Sequence, residues 1–308
     1  MNYPSLVSLR EVAPRDGWQK FKTVLPTEVK RELICSMIDY GARELEIGVF
    51  SSDPARGRQY LDLEPLCQAV LPYAAERGVK VTALVESIET AQRARALGIR
   101  HVDFFLSVSD AFGQGFGFTP DRAFATLEAI ANLPDLQVQA ALGAVFGCPF
   151  GDATPLEKTL AYAQQAMELG ASSLGLGDSA GKADPIHTER ILRGILERFR
   201  PEQISLHIHN TEGFGLANCV KAMELGFTRF DVSLAGMGGC PVIPNAKGNI
   251  PTEDFVNLLH KMDIGCGIDL DRCTVASLDM SRRIGAPVIS SMAGNTLLKQ
   301  DASPLPVK

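Results

Sequence analysis

Residues 33–47 read Leu33-Ile34-Cys35-Ser36-Met37-Ile38-Asp39-Tyr40-Gly41-Ala42-Arg43-Glu44-Leu45-Glu46-Ile47. An amphipathic helical pattern stops at a glycine, and an apolar run follows within a few residues. Glycine just past the helix end accepts the left-handed conformation that closes the last turn. Four further segments repeat the pattern: Gly78 before Val81-Thr82-Ala83-Leu84, Gly98 before Val102-Asp103-Phe104-Phe105, Gly170 before Leu174-Gly175-Leu176, and Gly226 before Phe230-Asp231-Val232. With Leu6–Val12, Val138–Ala144 and Ile204–His209 they make eight strand candidates, each separated from the next by one helical pattern. That alternation predicts an α/β chain closed as a (β/α)8 TIM barrel. The alternative, a doubly wound sheet, would carry a Gly-x-Gly-x-x-Gly turn after its first strand, and this chain has none.

The expectation is a single barrel domain over residues 1–308, with residues 260–308 as a short C-terminal helical extension. Gly265, Gly267 and Gly285 mark turns there, and Met280-Ser281-Arg282-Arg283 fits a helix that packs on the barrel or on a neighbouring subunit. At 45% hydrophobic and 21% charged residues, the chain has ordinary globular composition and enough length for a large core. No apolar stretch reaches the ~20 residues that cross a bilayer, so no membrane association is expected. A net charge of −6 without basic clusters argues against nucleic acid as a partner. The first strand-like run begins almost at Met1, and Pro306-Val307-Lys308 matches no sorting signal, which predicts a cytoplasmic protein. Seven scattered cysteines fit a reducing compartment.

Barrel enzymes build their sites where strands end, so polar residues at those ends are the candidates. The first strand leads into Arg15-Asp16-Gly17; an Arg-Asp pair alone reads most simply as a surface ion pair. The seventh contains His207-Ile208-His209, and residues two apart on a strand share a face. Two imidazoles converging at that end read better as metal ligands than as core histidines. Asp16 is able to add a carboxylate, because the first, seventh and eighth strands are neighbours in a closed barrel. Such a set suits octahedral Mg²⁺ or Mn²⁺ and leaves Zn²⁺ and Fe²⁺ open. After the eighth strand, Gly236-Met237-Gly238-Gly239-Cys240-Pro241 is a glycine-rich loop ending on a thiol capable of acid–base work. Cys35, Cys67 and Cys219 fall in helical patterns and read as small core residues.

Together, Arg15-Asp16-Gly17, His207-x-His209-Asn210, and Gly236-x-Gly238-Gly239-Cys240-Pro241 followed by Gly248-Asn249 resemble the hydroxymethylglutaryl-CoA lyase family. The similarity runs from about Val7 to Val256. The resemblance implies metal ligands Asp16, His207, His209 and Asn249, a catalytic Arg15 and a catalytic loop thiol, Cys240. It also implies that Glu46 and Asp178 hold ligands or Arg15 in position, and that Gln19, Val49, Gly175 and Ser179 join Arg15 near the substrate. Gly147-Cys148-Pro149 has a family counterpart, read here as structural. The implied reaction is retro-Claisen cleavage of a tertiary 3-hydroxyacyl-CoA by a metal-dependent carbon–carbon lyase, with His207 or Asp16 taking the hydroxyl proton. A homodimer is the implied assembly.

Val49 and Gly175 stand where the family carries serines, and Trp18, Lys20, Met237 and Val242 also depart from its usual residues. These departures predict a reshaped pocket, and lost hydroxyls weaken recognition of a polar substrate group. The substrate is therefore hydroxymethylglutaryl-CoA, or alternatively a relative such as citramalyl-CoA or a longer-chain analogue. An acetyl-CoA condensing enzyme fits less well, since such enzymes generally carry further C-terminal domains. Metallohydrolases of the amidohydrolase type place His-x-His on the first strand rather than the seventh. An inert scaffold has no use for Arg15 and Cys240 beside a ligand set.

Overall fold

Gly41, Gly78, Gly98, Gly170 and Gly226 adopt φ values of 115°, 64°, 99°, 98° and 90°, the left-handed geometry that ends a helix and turns the chain into a strand. At Gly41 an added β-carbon would also stand 2.3 Å from the carbonyl oxygen of Gly267, so this junction packs directly on the C-terminal segment. The computed structural model describes residues 3–301 except 20, 22, 52, 54–57 and 240–246.

The strands are β1 (Ser8–Glu11), β2 (Glu44–Phe50), β3 (Lys80–Val85), β4 (His101–Ser107), β5 (Gln137–Gly143), β6 (Ser173–Asp178), β7 (Ile204–Ile208) and β8 (Arg229–Val232). They form a closed parallel barrel in sequence order, with β8 paired back to β1. Thr27–Asp39, Leu63–Glu76, Ile88–Ala96, Pro120–Ala131, Leu156–Glu168, Pro185–Leu196, Gly215–Glu224 and Thr252–Lys261 are the helices that follow the eight strands. Outward strand residues such as Leu45, Ile47, Leu174, Leu206 and Val232 are fully buried beneath them, each contributing roughly 1.5–3 kcal/mol of apolar burial.

The inside is different. Barrel interiors are usually filled by branched apolar side chains, but here the middle is an ion-pair network. Arg10 on β1 donates to both oxygens of Asp231 on β8 (2.8 and 2.7 Å) and to both of Asp103 on β4 (2.9 and 2.8 Å). Gln139 on β5 donates to Asp103 at 2.6 Å, and Ser205 on β7 donates to Gln139 at 3.2 Å. Register puts these groups at one level, with Arg10 opposite Asp231 and Asp103 opposite Gln139. Below them a polar cavity of about 140 Å³, lined in part by Lys80, His101 and Arg229, opens at the N-terminal end, away from the strand ends where barrel chemistry is done.

Past Lys261 the extension forms helices Leu270–Ile284 and Ser291–Asp301. It docks on the barrel: Trp18 Nε1 donates to Met280 Sδ at 3.4 Å, and the carboxylate of Asp254 caps the last helix through the amides of Ser291 and Met292. Trp18 is 1% exposed. The expectation that it reshapes the pocket is corrected, because its ring is spent on the extension. Lys20 and Val242 lie outside the described residues. Among the described residues no helix is long and apolar enough to cross a membrane.

Candidate metal centre and active site

The chain leaves β1 through a single π-helical turn, Ala13–Gly17. The amides of Arg15, Asp16 and Gly17 all point at the carbonyl of Val12, at 3.0, 2.7 and 3.3 Å, which lifts Arg15 and Asp16 over the barrel mouth. Glu11 fixes the base of this turn. Its buried carboxylate accepts from the amides of Ala13 and Leu234 (both 2.9 Å), from the Tyr40 hydroxyl (2.6 Å) and from the Thr252 hydroxyl (2.7 Å). One side chain thus joins the end of β1 to the loop after β8. Burial pushes the Glu11 carboxyl up from its ordinary value, with these hydrogen bonds opposing.

β7 ends at Ile208, one residue short of the sequence expectation, and His209 pairs instead in an isolated bridge with Asn249. The two-residue spacing still presents both imidazoles to one point: His207 Nε2 and His209 Nε2 are 3.1 Å apart. Asp16 Oδ2 lies 3.6 Å from His209 Nε2, and ligand atoms of Asp16, His207 and His209 all fall within 4.8 Å of one another. Asn249 closes the group, with Nδ2 donating to Asp16 Oδ2 (2.7 Å) and to the Met237 carbonyl (3.0 Å). Its Oδ1 is buried and finds no hydrogen-bond partner, which is costly for an amide oxygen unless a cation or donor meets it. Two imidazole nitrogens, a carboxylate and an unmet amide oxygen fit a divalent ion, and the oxygen share favours a hard one.

The electrostatics match that reading. Burial alone would raise the Asp16 carboxyl, but hydrogen bonding to His209 and the charge of Arg15 outweigh it and hold it well below the usual carboxylate range. Asp231 behaves alike: burial opposes ionisation, and Arg10 together with His207 overcomes it, leaving the group anionic. That anion accepts from His207 Nδ1 at 3.0 Å. With Nδ1 carrying the proton, Nε2 keeps its lone pair and faces the cluster.

Arg15 donates through Nη1 to Asp16 Oδ1 at 2.7 Å, and its Nε lies 3.6 Å from Glu46 Oε1. Burial disfavours the charge on Arg15, but Glu46 and Asp16 more than restore it, so the guanidinium is a permanent cation. Glu46 on β2 is pushed up by burial and by the neighbouring Asp103 carboxylate, with Arg15 opposing. The Tyr60 hydroxyl donates to the Arg15 carbonyl.

The remaining sequence candidates take varied places. Gln19 donates to Asp16 Oδ1 at 2.6 Å, so its amide is committed to the ligand carboxylate. Ser179 Oγ accepts from the Ala144 amide at 3.0 Å and braces the end of β5. Asp178 makes no hydrogen bond to a ligand or to Arg15 among the described residues. It accepts from the amides of Gly181 (2.9 Å) and Ala183 (3.2 Å), holding a turn in which a β-carbon on Gly181 would come within 2.9 Å of His209 Cβ. Val49 is half-buried, and Gly175 sits beside Gln139 on the inner face of β6. Cys240 and Pro241 lie outside the described residues.

Gly238, in the glycine-rich loop, has φ 129°, and a β-carbon there would stand 2.3 Å from Asn249 Nδ2 and 2.6 Å from Asp16 Oδ2. Its bare backbone is the lid over two candidate ligands. Sequence reasoning passed over Glu11, Arg10, Asp103 and Asp231. The signal available was a lone charged residue inside an otherwise apolar strand pattern, at an inward-facing position.

Comparison with known proteins gives one family. The family model described as HMGL-like matches residues 6–279. The hydroxymethylglutaryl-CoA lyase YngG of Bacillus subtilis is 33% identical, over 94% of this chain and 97% of its own. The (R)-citramalyl-CoA lyase of Chloroflexus aurantiacus is also 33% identical, over 92% of each chain. Among solved structures, an HMG-CoA lyase from Acinetobacter baumannii in complex with coenzyme A and 3-methylmalate superposes with TM-score 0.90 at 31% identity, covering 99% of this chain and all of that one.

Proposed function

This chain belongs to the HMGL-like family, and on that premise we propose that it is a divalent-metal-dependent carbon–carbon lyase. It cleaves 3-hydroxy-3-methylglutaryl-CoA to acetoacetate and acetyl-CoA. The observation that carries the reading is the convergence of Asp16, His207 and His209 within 4.8 Å beside the Arg15 guanidinium. Asp16, His207, His209 and Asn249 would hold Mg²⁺ or Mn²⁺, and the ion would supply Lewis-acid acidification of the substrate's tertiary hydroxyl.

The chain's own residues do the rest. Asp16 is a poor proton acceptor, because its carboxyl is held so far down. His207 gives its Nδ1 proton to the anionic Asp231, so it accepts the hydroxyl proton only at Nε2, the atom that would face the ion, and serves there as base or as ligand but not as both at once. As C2–C3 breaks, charge gathers on the thioester oxygen, where Arg15 supplies a half-buried, fixed cation. Glu46 sets the aim of that guanidinium from β2. Cys240, next in sequence after Gly238-Gly239, would protonate C2 of the enolate, completing acetyl-CoA. Val49, Gly175, Gln19 and Ser179 shape the ground around the acyl group, the last two by bracing Asp16 and β5.

A second reading, a citramalyl-CoA lyase, draws on the equal identity to the Chloroflexus enzyme and keeps every role above. Location in the cytoplasm and assembly as a homodimer complete the reading, and cell fractionation and sedimentation test them. The deciding experiment incubates the protein with Mn²⁺ and each acyl-CoA and follows products by mass spectrometry, with chelated and Cys240→Ala controls. Acetyl-CoA and acetoacetate, lost in both controls, are expected. Pyruvate from citramalyl-CoA alone selects the second reading, and the absence of any metal-dependent cleavage overturns both.

A further inference from the structure

The barrel mouth is chemically two-sided. β7, β8 and β1, with the segments that follow them, present His207, His209, Asn249, Asp16 and Arg15. Across the axis the inward positions are Phe105 on β4, Ala141 on β5 and Gly175 on β6, all in one register row. Leu84 on β3 pairs with Asp103, an inward residue, and Val49 on β2 pairs with Leu84. None of these side chains offers a hydrogen bond. Val49, Leu84, Phe105 and Ala141 are each half-buried, whereas their outward neighbours Phe50, Val85, Phe104 and Ala140 are buried. This inner apolar surface is therefore open to the mouth rather than consumed in the core.

Phe105 sets its depth. A β-carbon on Gly143 would meet the Phe105 ring at 2.5 Å, so the ring occupies space beside β5 that only glycine leaves. Its centroid is 5.2 Å from that of Phe116 and 6.0 Å from that of Phe112. Phe150, 46% exposed, stands 6.3 Å beyond Phe112. A continuous track of ring contacts thus runs from Phe105 inside the barrel to Phe150 at the surface, with Phe112 buried between them.

We propose that this wall receives the apolar substituent of the substrate's carbinol carbon, and that the enzyme accepts 3-hydroxy-3-alkylglutaryl-CoA esters with branches much longer than methyl. The proposal rests on the lyase reading above and adds the substrate class to it. A carboxylate placed on this side would lose its hydration with no donor from the wall to replace it. An alkyl chain gains about fourfold in binding per buried methylene, and rings in edge contact accommodate it along its length. The polar arm of the ester is then left to the ligand side. Cleavage is balanced without a co-reactant: C2–C3 breaks, the carbinol carbon becomes the ketone of a 3-oxoacid, and the hydroxyl proton is replaced at C2 of acetyl-CoA.

The test uses the Mn²⁺-loaded protein with 3-alkyl esters from methyl to hexyl. In parallel, calorimetry measures binding of the matching esters that lack the 3-hydroxyl and so cannot be cleaved. The expected result is a kcat/KM ratio of hexyl to methyl ester of at least tenfold, falling at least tenfold in Phe105→Ser. Should that variant fold poorly, Phe116→Ser, farther out on the track, is expected to lower the ratio by about fourfold. A hexyl-to-methyl ratio at or below one overturns the proposal. So does an equal loss for both esters in the two variants, which would make the track a seat for the pantetheine arm. Chain-length-dependent binding that Phe105→Ser removes, without cleavage of any ester, would keep the wall and sink the lyase reading instead.

Discussion

Arg10 holds Asp231 with two hydrogen bonds, Nε to Oδ1 at 2.8 Å and Nη2 to Oδ2 at 2.7 Å, and the same carboxylate holds His207 Nδ1. A residue on β1 thereby orients an imidazole on β7 through an acid on β8. Arg10→Met leaves Asp231 and Asp103 buried without their counter-ion, which costs about 3–5 kcal/mol when one partner of a buried pair is removed. Mn²⁺ affinity, read by calorimetry, is expected to fall about 10–100-fold as His207 loses its fixed orientation. Unchanged affinity with unchanged stability would refute the role given to Arg10.

Gly238→Ala tests the close approach of the loop to the ligands. The alanine meets both a strained φ and two polar atoms of Asn249 and Asp16 at under 3 Å. Backbone at a positive φ costs about 1–3 kcal/mol for a non-glycine residue, and the ligands must move besides. Turnover is expected to drop by about 100-fold, as for a misplacement on the order of 1 Å, while circular dichroism shows an intact barrel. Near-normal turnover would show that the loop is free to retreat.

Glu253 makes stability pH-dependent. Burial pushes its carboxyl up from 4.5 to about 7, against the hydrogen bond from Ser277. A raised folded pKa means that the folded state keeps a proton the unfolded state has already lost. Its contribution is therefore complete below about pH 4.5, declines as pH rises and is gone above about 7. Comparing urea midpoints of metal-free wild type and Glu253→Gln from pH 4.5 to 7.5, the wild type is expected to lose on the order of 3 kcal/mol relative to the variant. Parallel profiles would place the titration elsewhere.

Chelation is expected to abolish turnover and lower the melting temperature, and Mn²⁺ at about 100 times its Kd to restore about 3 kcal/mol of stability. His209→Ala and Asn249→Ala should each remove most of that increment. A thermal shift indifferent to both variants would mean that the ion binds outside the cluster.

The alternation of glycine-ended helices and apolar runs made the barrel legible, because each αβ junction is a local event. Asp16, His207 and His209 were legible for a related reason: a two-residue spacing and the adjacency of β1 to β7 and β8 follow from closure alone. Arg10 with Asp231 was not, since the pair is 221 positions apart and its contact depends on how the strands are staggered. Trp18 misled because the rotation of the π-helical turn, which sends its ring outward, has no sequence signature. The aromatic wall was not legible either, because Phe105, Phe112, Phe116 and Phe150 are brought together only by the fold.

Trp18 follows the Arg15-Asp16-Gly17 turn directly and is seated on Met280 of the extension. The turn that carries Arg15 and Asp16 is therefore packed directly on the last part of the chain. Coupling between two sites is reciprocal, so a change that loosens the helix around Met280 is expected to weaken ion binding at the mouth by the factor with which the ion tightens that helix. Amide exchange within Leu270–Ile284, on the flank of the barrel, should accordingly slow when the ion is added, making this remote helix a reporter of occupancy.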